Sequence, residues 1–565
     1  MSLNIEAILQ ESTIYRRREQ LSRITDGLGL GDAYGATIER IRAQGGGKSR
    51  LGLEALMWIS YAERPLSADE LCYSLAVELG SKDFNVGNIP SMSTVVGCCQ
   101  GLITVDKEVS TVRLIHFTLR EYLSAHGIFT TPHSAMAEIC LTYLNSEQVK
   151  ALSTYPPSDA RDTKFLEYCS LYWGVHAKRE LSDCAKSLAL GLFQEYDGPG
   201  HVSTELLLDG EESLTGLNFD TYSPFSGLHC ASFFGIVEVV AALIEVRYSD
   251  LNGGDFGGHT PLSWAACNGH EEVVKILLEQ EGVDPDKPSN HGETPLIRAA
   301  LSGHEEVVKM LLERDEVNPD EPDKNGQTPL LWAAGDGHEG VVKILLGRDE
   351  VNPDKTSNYG ETPLLLAALC GHEEVVKTLL GREEVNPNKL DTDGRTPLSN
   401  AARNGHEGVV KLLLQKEEVS PDKPDHHGCT PLSLAAEHGH ENVVKLLLGR
   451  QEVNPENLDN DGDTPLACAA IGGCEGVVKI LLELDGVNPD NSNYAGQTPL
   501  SIAARKGHVE VVKILLKQEE VDPNKADNDG QTPLLHAATH GHQRVIELLQ
   551  PVTYSALPGL GDTAP

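Results

Sequence analysis

The chain has 565 residues, a net charge of −38 and a hydrophobic fraction of 40 %. That length exceeds one compact core and calls for at least two structural units, and the apolar content is too high for a disordered chain. The segment 1–220 and the remainder are each net acidic, which argues against a nucleic-acid or anionic-membrane partner, since either needs a basic face. The longest apolar runs, such as 236–244, fall far below the ~18 residues that span a bilayer. Glu6 and Glu11 precede Arg16, Arg17 and Arg18, the reverse of a secretory leader. Twelve cysteines lie scattered, with no Cys-x-x-Cys. They form neither a disulfide framework nor a zinc ligand set, and read as buried thiols in a reducing, cytoplasmic setting.

Taken in chain order, residues 36–43 read as helical and are followed by Gly45-Gly46-Gly47-Lys48-Ser49. A phosphate-binding loop needs glycine where Arg42 stands and a buried strand before it. The stretch therefore reads as a flexible turn before an amphipathic helix over 51–62. Ser67-Ala68-Asp69-Glu70 is a capping box opening a helix through about Val77. Pro90 precedes a short helix toward Cys99. Two β-rich runs, 102–105 and 112–117, flank a polar turn at 106–110, and a helix over 118–126 closes the segment. Helix–helix–helix–hairpin is the winged-helix order. A DNA reader would place its third helix in the major groove, but residues 91–99 hold no Lys or Arg and read as core. Nor is there a Gly-x-Ser-x-Gly elbow for acyl transfer. Further helices are expected near 134–145 and 165–178.

The stretches Ala55-Leu56-Met57-Trp58-Ile59, Arg64-Pro65-Leu66, Glu70-Leu71 and His116-Phe117-Thr118-Leu119-Arg120-Glu121-Tyr122-Leu123 resemble the winged helix that follows the ATPase module of fungal NACHT–ankyrin proteins, relatives of NLR receptors. The same module type is named after the GPI inositol deacylase. Residues 27–40 resemble the end of the preceding NACHT helical segment. In that family the phosphate loop and the magnesium-binding strand lie N-terminal to this segment, so neither is expected among these residues. The resemblance therefore assigns no nucleotide-binding residue here.

Beyond residue 221 the sequence repeats. Thr-Pro-Leu begins at Thr260, Thr294, Thr328, Thr362, Thr396, Thr430, Thr464, Thr498 and Thr532, always at the same spacing, and Ser226 opens a degenerate earlier copy. Thr caps a helix, Pro fills its first turn, and Leu starts the apolar face. An Ala-Ala pair lets helices approach closely, and Gly closes the first helix. A second helix follows, as in Glu271-Glu272-Val273-Val274-Lys275-Ile276-Leu277-Leu278, with valines and leucines at i,i+4. Val-Asn-Pro then stops it. These residues, in this order, resemble the ankyrin repeat over about 222–550, which implies a mostly helical solenoid of about ten copies. Three departures stand out. The period, from Thr260 to Thr294 and onward, is one longer than the common ankyrin unit, which predicts an enlarged loop and an unchanged stack. The His that usually follows Thr-Pro-Leu is missing from all nine copies, leaving only His229 in the degenerate one. The last copy, with Gln543-Arg544-Val545-Ile546, reads as a polar cap. The expected organisation is 1–44 helical, 45–130 winged helix, 131–221 helical linker, 222–550 repeats and 551–565 disordered tail.

A Gly-His column runs through the copies (His270, His304, His338, His372, His406, His440, His508, His542). Neighbouring helices are ~8–10 Å apart and ligands of one zinc lie ~2 Å from it, so these read as helix-start residues rather than metal ligands. Trp264 and Trp332 read as core. Variation between copies concentrates just before Thr (His259, Glu293, Gln327, Glu361, Arg395, Cys429, Asp463, Gln497, Gln531) and just after Ala-Ala (Asn268, Ser302, Asp336, Cys370, Asn404, His438, Lys506, His540). Both sets are expected on one side of the stack. The ankyrin resemblance implies that this concave side takes a protein or peptide ligand. The expected function is a non-enzymatic scaffold without cofactor, metal, nucleic-acid or membrane partner, forming the sensor part of a NACHT–ankyrin signalling protein. The alternatives are a fragment of a nucleotide-gated NTPase whose ATPase module lies upstream, and a winged-helix DNA binder.

Overall fold

In the computed structural model, residues 28–106, 108–152, 164–193, 225–246 and 250–555 are described. The expectations for residues 1–27, for 194–221 and for the tail beyond 555 lie outside them. The chain divides into two compact units, Met1–Asp284 and Pro285–Pro565.

The first unit begins with helices α1 (Leu28–Ala43) and α2 (Gly46–Tyr61). The glycine-rich stretch is the start of α2 rather than a flexible turn. Gly45 and Gly46 take positive φ values of 70° and 53°, a conformation glycine reaches without strain, and Lys48 and Ser49 already lie in the helix. The capping box forms as expected at α3 (Ala68–Ser74): Glu70 N–H donates to Ser67 Oγ at 3.1 Å and Ser67 N–H to Glu70 Oε2 at 2.7 Å. Burial pushes the Glu70 carboxyl up, but Arg64, 2.6 Å away, and the Ser67 bonds outweigh it and hold it below its usual range. Next come α4 (Met92–Cys98) and the antiparallel strands β1 (Ile103–Val105) and β2 (Val112–Leu114). α5 (Phe117–Ala125) follows, capped by His116. The helix–helix–helix–hairpin order expected from the sequence is present.

Four more helices follow: α6 (Pro132–Leu144), α7 (Glu147–Lys150), α8 (Leu166–Arg179) and α9 (Asp183–Phe193). Trp58 of α2 is fully buried and meets the rings of Phe165 and Tyr168 edge-on at 5.4 and 5.7 Å. This aromatic cluster joins the winged-helix segment to the bundle. The unit ends in two helix pairs, α10 (Gly227–Phe234) with α11 (Val237–Glu245) and α12 (Pro261–Cys267) with α13 (Glu271–Leu278). Trp173 packs on Phe234 at 5.2 Å. Gly174 lies so close that any Cβ there would run into the Phe234 ring, so glycine lets α8 rest on α10.

The second unit is eight helix pairs, from Pro295–Leu301 with Glu305–Leu312 to Pro533–Thr539 with Gln543–Ser555. In every copy the Thr Oγ1 accepts the N–H three residues on, as Thr396 does from Ser399 at 3.1 Å. Where Ser replaces the usual His, the two hydroxyls bond directly, at 2.9 Å for Thr396–Ser399 and 3.1 Å for Thr430–Ser433. The Ala-Ala pairs from Ala299-Ala300 to Ala503-Ala504 are wholly buried, as are Val409, Val410 and Leu413 of the outer stripe. The enlarged loop carries its own ladder. Lys355, Lys389 and Lys525 bind Asp320, Asp354 and Asp490 of the preceding copy, at 3.0, 3.1 and 3.0 Å. The extra residue of each copy thus fits a regular stack. Across the described residues the fold is mostly helical, with one two-stranded sheet.

Candidate functional site

Besides the Lys–Asp pairs of the loops, three ladders of polar contacts fix the repeats to one another, and they decide which side chains remain for a ligand. The first runs along the turn tips. Backbone N–H groups of Asn358, Thr392, His426, Asn460, Tyr494 and Asn528 each donate to a carbonyl in the tip of the preceding copy, at 2.8–3.1 Å. Within each tip an Asp, Asn or Ser closes the turn: Asp391 Oδ1 accepts the N–H groups of Asp393 and Arg395 at 3.0 and 2.8 Å.

The second ladder uses the residue before Thr. Arg395 Nε lies 3.7 Å from Asp425, Cys429 Sγ lies 3.9 Å from Asp459, and Asn493 Nδ2 donates to Asp463 at 2.9 Å. Each contact links that residue to the turn of the next copy. Glu361 accepts from Ser357 at 3.1 Å, and Arg298 lies 3.6 Å from Glu293. Gln327, Gln497 and Gln531 are half-buried, and His259 and Asp463 are buried. Burial pushes the Asp463 carboxyl up. Burial, then the carboxylates of Asp425 and Asp459, push the Cys429 thiol up to about 12.

The third ladder was not legible in the sequence as such. The Gly-His column does start each second helix, but each imidazole also reaches back into the preceding copy. Nε2 of His338, His372, His406, His440, His508 and His542 bonds a carbonyl of the preceding first helix at 2.8–3.1 Å. In the first unit His270 does the same to Phe233 at 2.8 Å. Cys474, the one replacement, approaches Glu437 O at 3.4 Å. The preceding glycine is required: Gly371 has φ 84°, and a Cβ there would lie 2.5 Å from His406. The signal was the Gly-His pair, kept in every Thr-Pro-Leu copy but that of Cys474 while neighbouring positions vary.

The residues after Ala-Ala lie outside these ladders in most copies. Asp336, Cys370, Asn404, His438, Lys506 and His540 are exposed, whereas Asn268 and Ser302 are half-buried. Asn404 bonds Leu369 O, and His438 and His540 bond carbonyls of their own helices. The structure therefore divides the variable positions: most of those before Thr face neighbouring copies, and most of those after Ala-Ala face solvent. Trp264 is buried, as read from sequence, with Nε1 on Asp255 at 2.9 Å, while Trp332 is half-buried with Nε1 3.3 Å from Asp323. Between the Thr362 and Thr396 copies, Tyr359, Glu361, Leu366, Asp393 and Arg395 line a cavity of 250 Å³. That is below the usual range for a small-molecule site.

Burial also pushes up the thiol of Cys468, helped by nearby carboxylates. Protonated thiols of this kind are poor nucleophiles.

Residues 200–289, 228–323, 315–391, 380–457, 419–493, 451–527 and 484–555 match the family described as Ankyrin repeats (3 copies). Residues 38–131 match the family described as GPI inositol-deacylase, winged helix domain. No curated protein matches the chain. No helix among the described residues is long and apolar enough to cross a membrane.

Proposed function

The chain belongs to the ankyrin-repeat family, and on that premise we propose that it is a non-enzymatic scaffold binding a protein or peptide along the face that carries the turn tips and first helices. One observation carries this reading. Asp336, Cys370, Asn404, His438, Lys506 and His540 occupy the same place in successive copies, with Gly472 the one interruption. They span acidic, basic, amide, thiol and imidazole side chains, and all are exposed. A row of unlike side chains at fixed spacing suits an extended ligand. The residues before Thr contribute through the accessible parts of Glu361, Arg395 and Gln497. The winged-helix match beside the repeats supports a finer reading, the interaction arm of a NACHT–ankyrin signalling protein in the cytoplasm.

The test uses the full chain as bait with two variants. One carries Asp336→Lys, Asn404→Glu and Lys506→Glu. The other carries Glu374→Lys, Lys411→Glu and Glu441→Lys on the second helices. A partner retained by the second variant and lost by the first is the expected result. Equal retention by both, or loss from the second alone, overturns the reading.

A further inference from the structure

Most imidazoles of the Gly-His column bond carbonyls of the preceding copy, but two histidines of the first unit converge elsewhere. His133 lies in the first turn of α6, His176 in the last turn of α8, and Glu63 just beyond α2. The two Nδ1 atoms face each other at 2.8 Å, and Glu63 Oε1 lies 3.8 Å from His176 Nδ1. One ligand atom from each of the three residues falls within 4.8 Å of the others. His176 is fully buried, and Glu63 and His133 are partly so.

We propose that Glu63, His133 and His176 form a site for one divalent ion of the zinc class, bound through the two Nδ1 atoms and Glu63 Oε1, with a fourth position for water. The three atoms lie within reach of one ion, and the Nδ1 pair opens from 2.8 Å to about 3.3 Å to take Zn–N bonds of about 2 Å at a tetrahedral angle. Two imidazoles with a carboxylate suit zinc or cobalt, not calcium or magnesium. The surrounding groups are those a ligand set needs. Tyr168 Oη lies 3.0 Å from His176 Nε2, and the Glu63 N–H donates to the same oxygen at 3.2 Å, so the ring is fixed from behind. Arg179 grips both Glu63 oxygens, at 2.5 and 3.0 Å. Its side chain is half exposed, so it can yield Oε1 and keep Oε2, and this competition keeps the affinity moderate. In the opposing reading a neutral pair shares one proton between its Nδ1 atoms, and Arg179 alone places Glu63 beside them. A bound ion would clasp the winged-helix segment to α6 and α8.

The full chain, stripped with chelator, is titrated with Co²⁺ and followed by absorption. The expected result is one equivalent with visible d–d bands and no thiolate charge-transfer band, binding at least tenfold more weakly in His133→Asn and Glu63→Gln. His440→Asn, in the repeats, leaves it unchanged. Circular dichroism in chelator checks that the variants fold, and Glu63→Gln decides if His133→Asn does not. Absence of the band, a thiolate band, or equal binding by the folded variants overturns the proposal.

Discussion

The two units hold themselves together in opposite ways. In the second, the main contacts recur along the array: the Thr cap in every copy, the His clip in most, and the Lys–Asp pair at Lys355, Lys389 and Lys525. In the first, the decisive contacts occur once, such as Trp58 against Phe165 and Tyr168, or Arg64 on Glu70. A repeated contact can be weak, because neighbours share the load. A contact made once has no substitute. The lesson is that equal burial does not mean equal consequence.

The sharpest break of that comparison is a pair of core truncations. Trp58→Ala should cost about 3–5 kcal/mol and unfold the first unit as a whole, and Leu398→Ala about 2–5 kcal/mol. Both side chains are fully buried. Hydrogen exchange should show the Leu398 damage confined to adjacent copies and the Trp58 damage reaching α2, α6 and α8 together. Equal spread in both would remove the contrast.

Acid should separate the units next. His229 is 1 % exposed, its Nε2 bonds the carbonyls of Gly253 and His259, and its Nδ1 accepts the Ser226 N–H. Burial holds its pKa at about 4, below the ordinary 6.5. The unfolded chain therefore takes up the proton first. Stability from this residue is complete above about pH 6.5 and lost as pH falls toward 4. In the second unit, burial holds Asp320 and Asp422 up, which has the opposite sign. In a Trp332→Phe background, which leaves tryptophan only in the first unit, fluorescence melts from about pH 8 to about pH 4.5 should show a falling midpoint. His229→Gln should flatten that slope.

The smallest effect concerns the clip. His406→Ala should cost about 0.5–1.5 kcal/mol, the net worth of one hydrogen bond. Cys474→His should gain a few tenths to about 1 kcal/mol by restoring the imidazole. Chemical denaturation of the full chain reads both, and a Cys474→His variant less stable than the parent would refute the clip.

The repeats were legible because periodicity exposes itself: Thr-Pro-Leu, Ala-Ala and Gly-His predicted both helices and their caps. The winged-helix order was legible from the capping box at Ser67 and the β-rich runs. What escaped was whatever depends on a partner distant in the chain. Gly46–Ser49 joined α2 because the helix extends toward its N-terminus beyond its apolar stripe. The His clip joins one copy to the copy before it, and Glu63, His133 and His176 meet only after folding. The variable positions were found but not sorted, because nothing local distinguishes Arg395, which reaches Asp425, from exposed Asn404.

If the exposed residues after Ala-Ala form the contact surface, a bound partner covers them. Hydroxyl-radical footprinting of the full chain, free and with a partner captured by it, tests this most directly. The account predicts protection at Cys370, His438 and His540 and at the exposed turn-tip ring of Tyr359, with the second helices unchanged. Protection confined to Ile344, Leu412 and Ile480 of the second helices would contradict it.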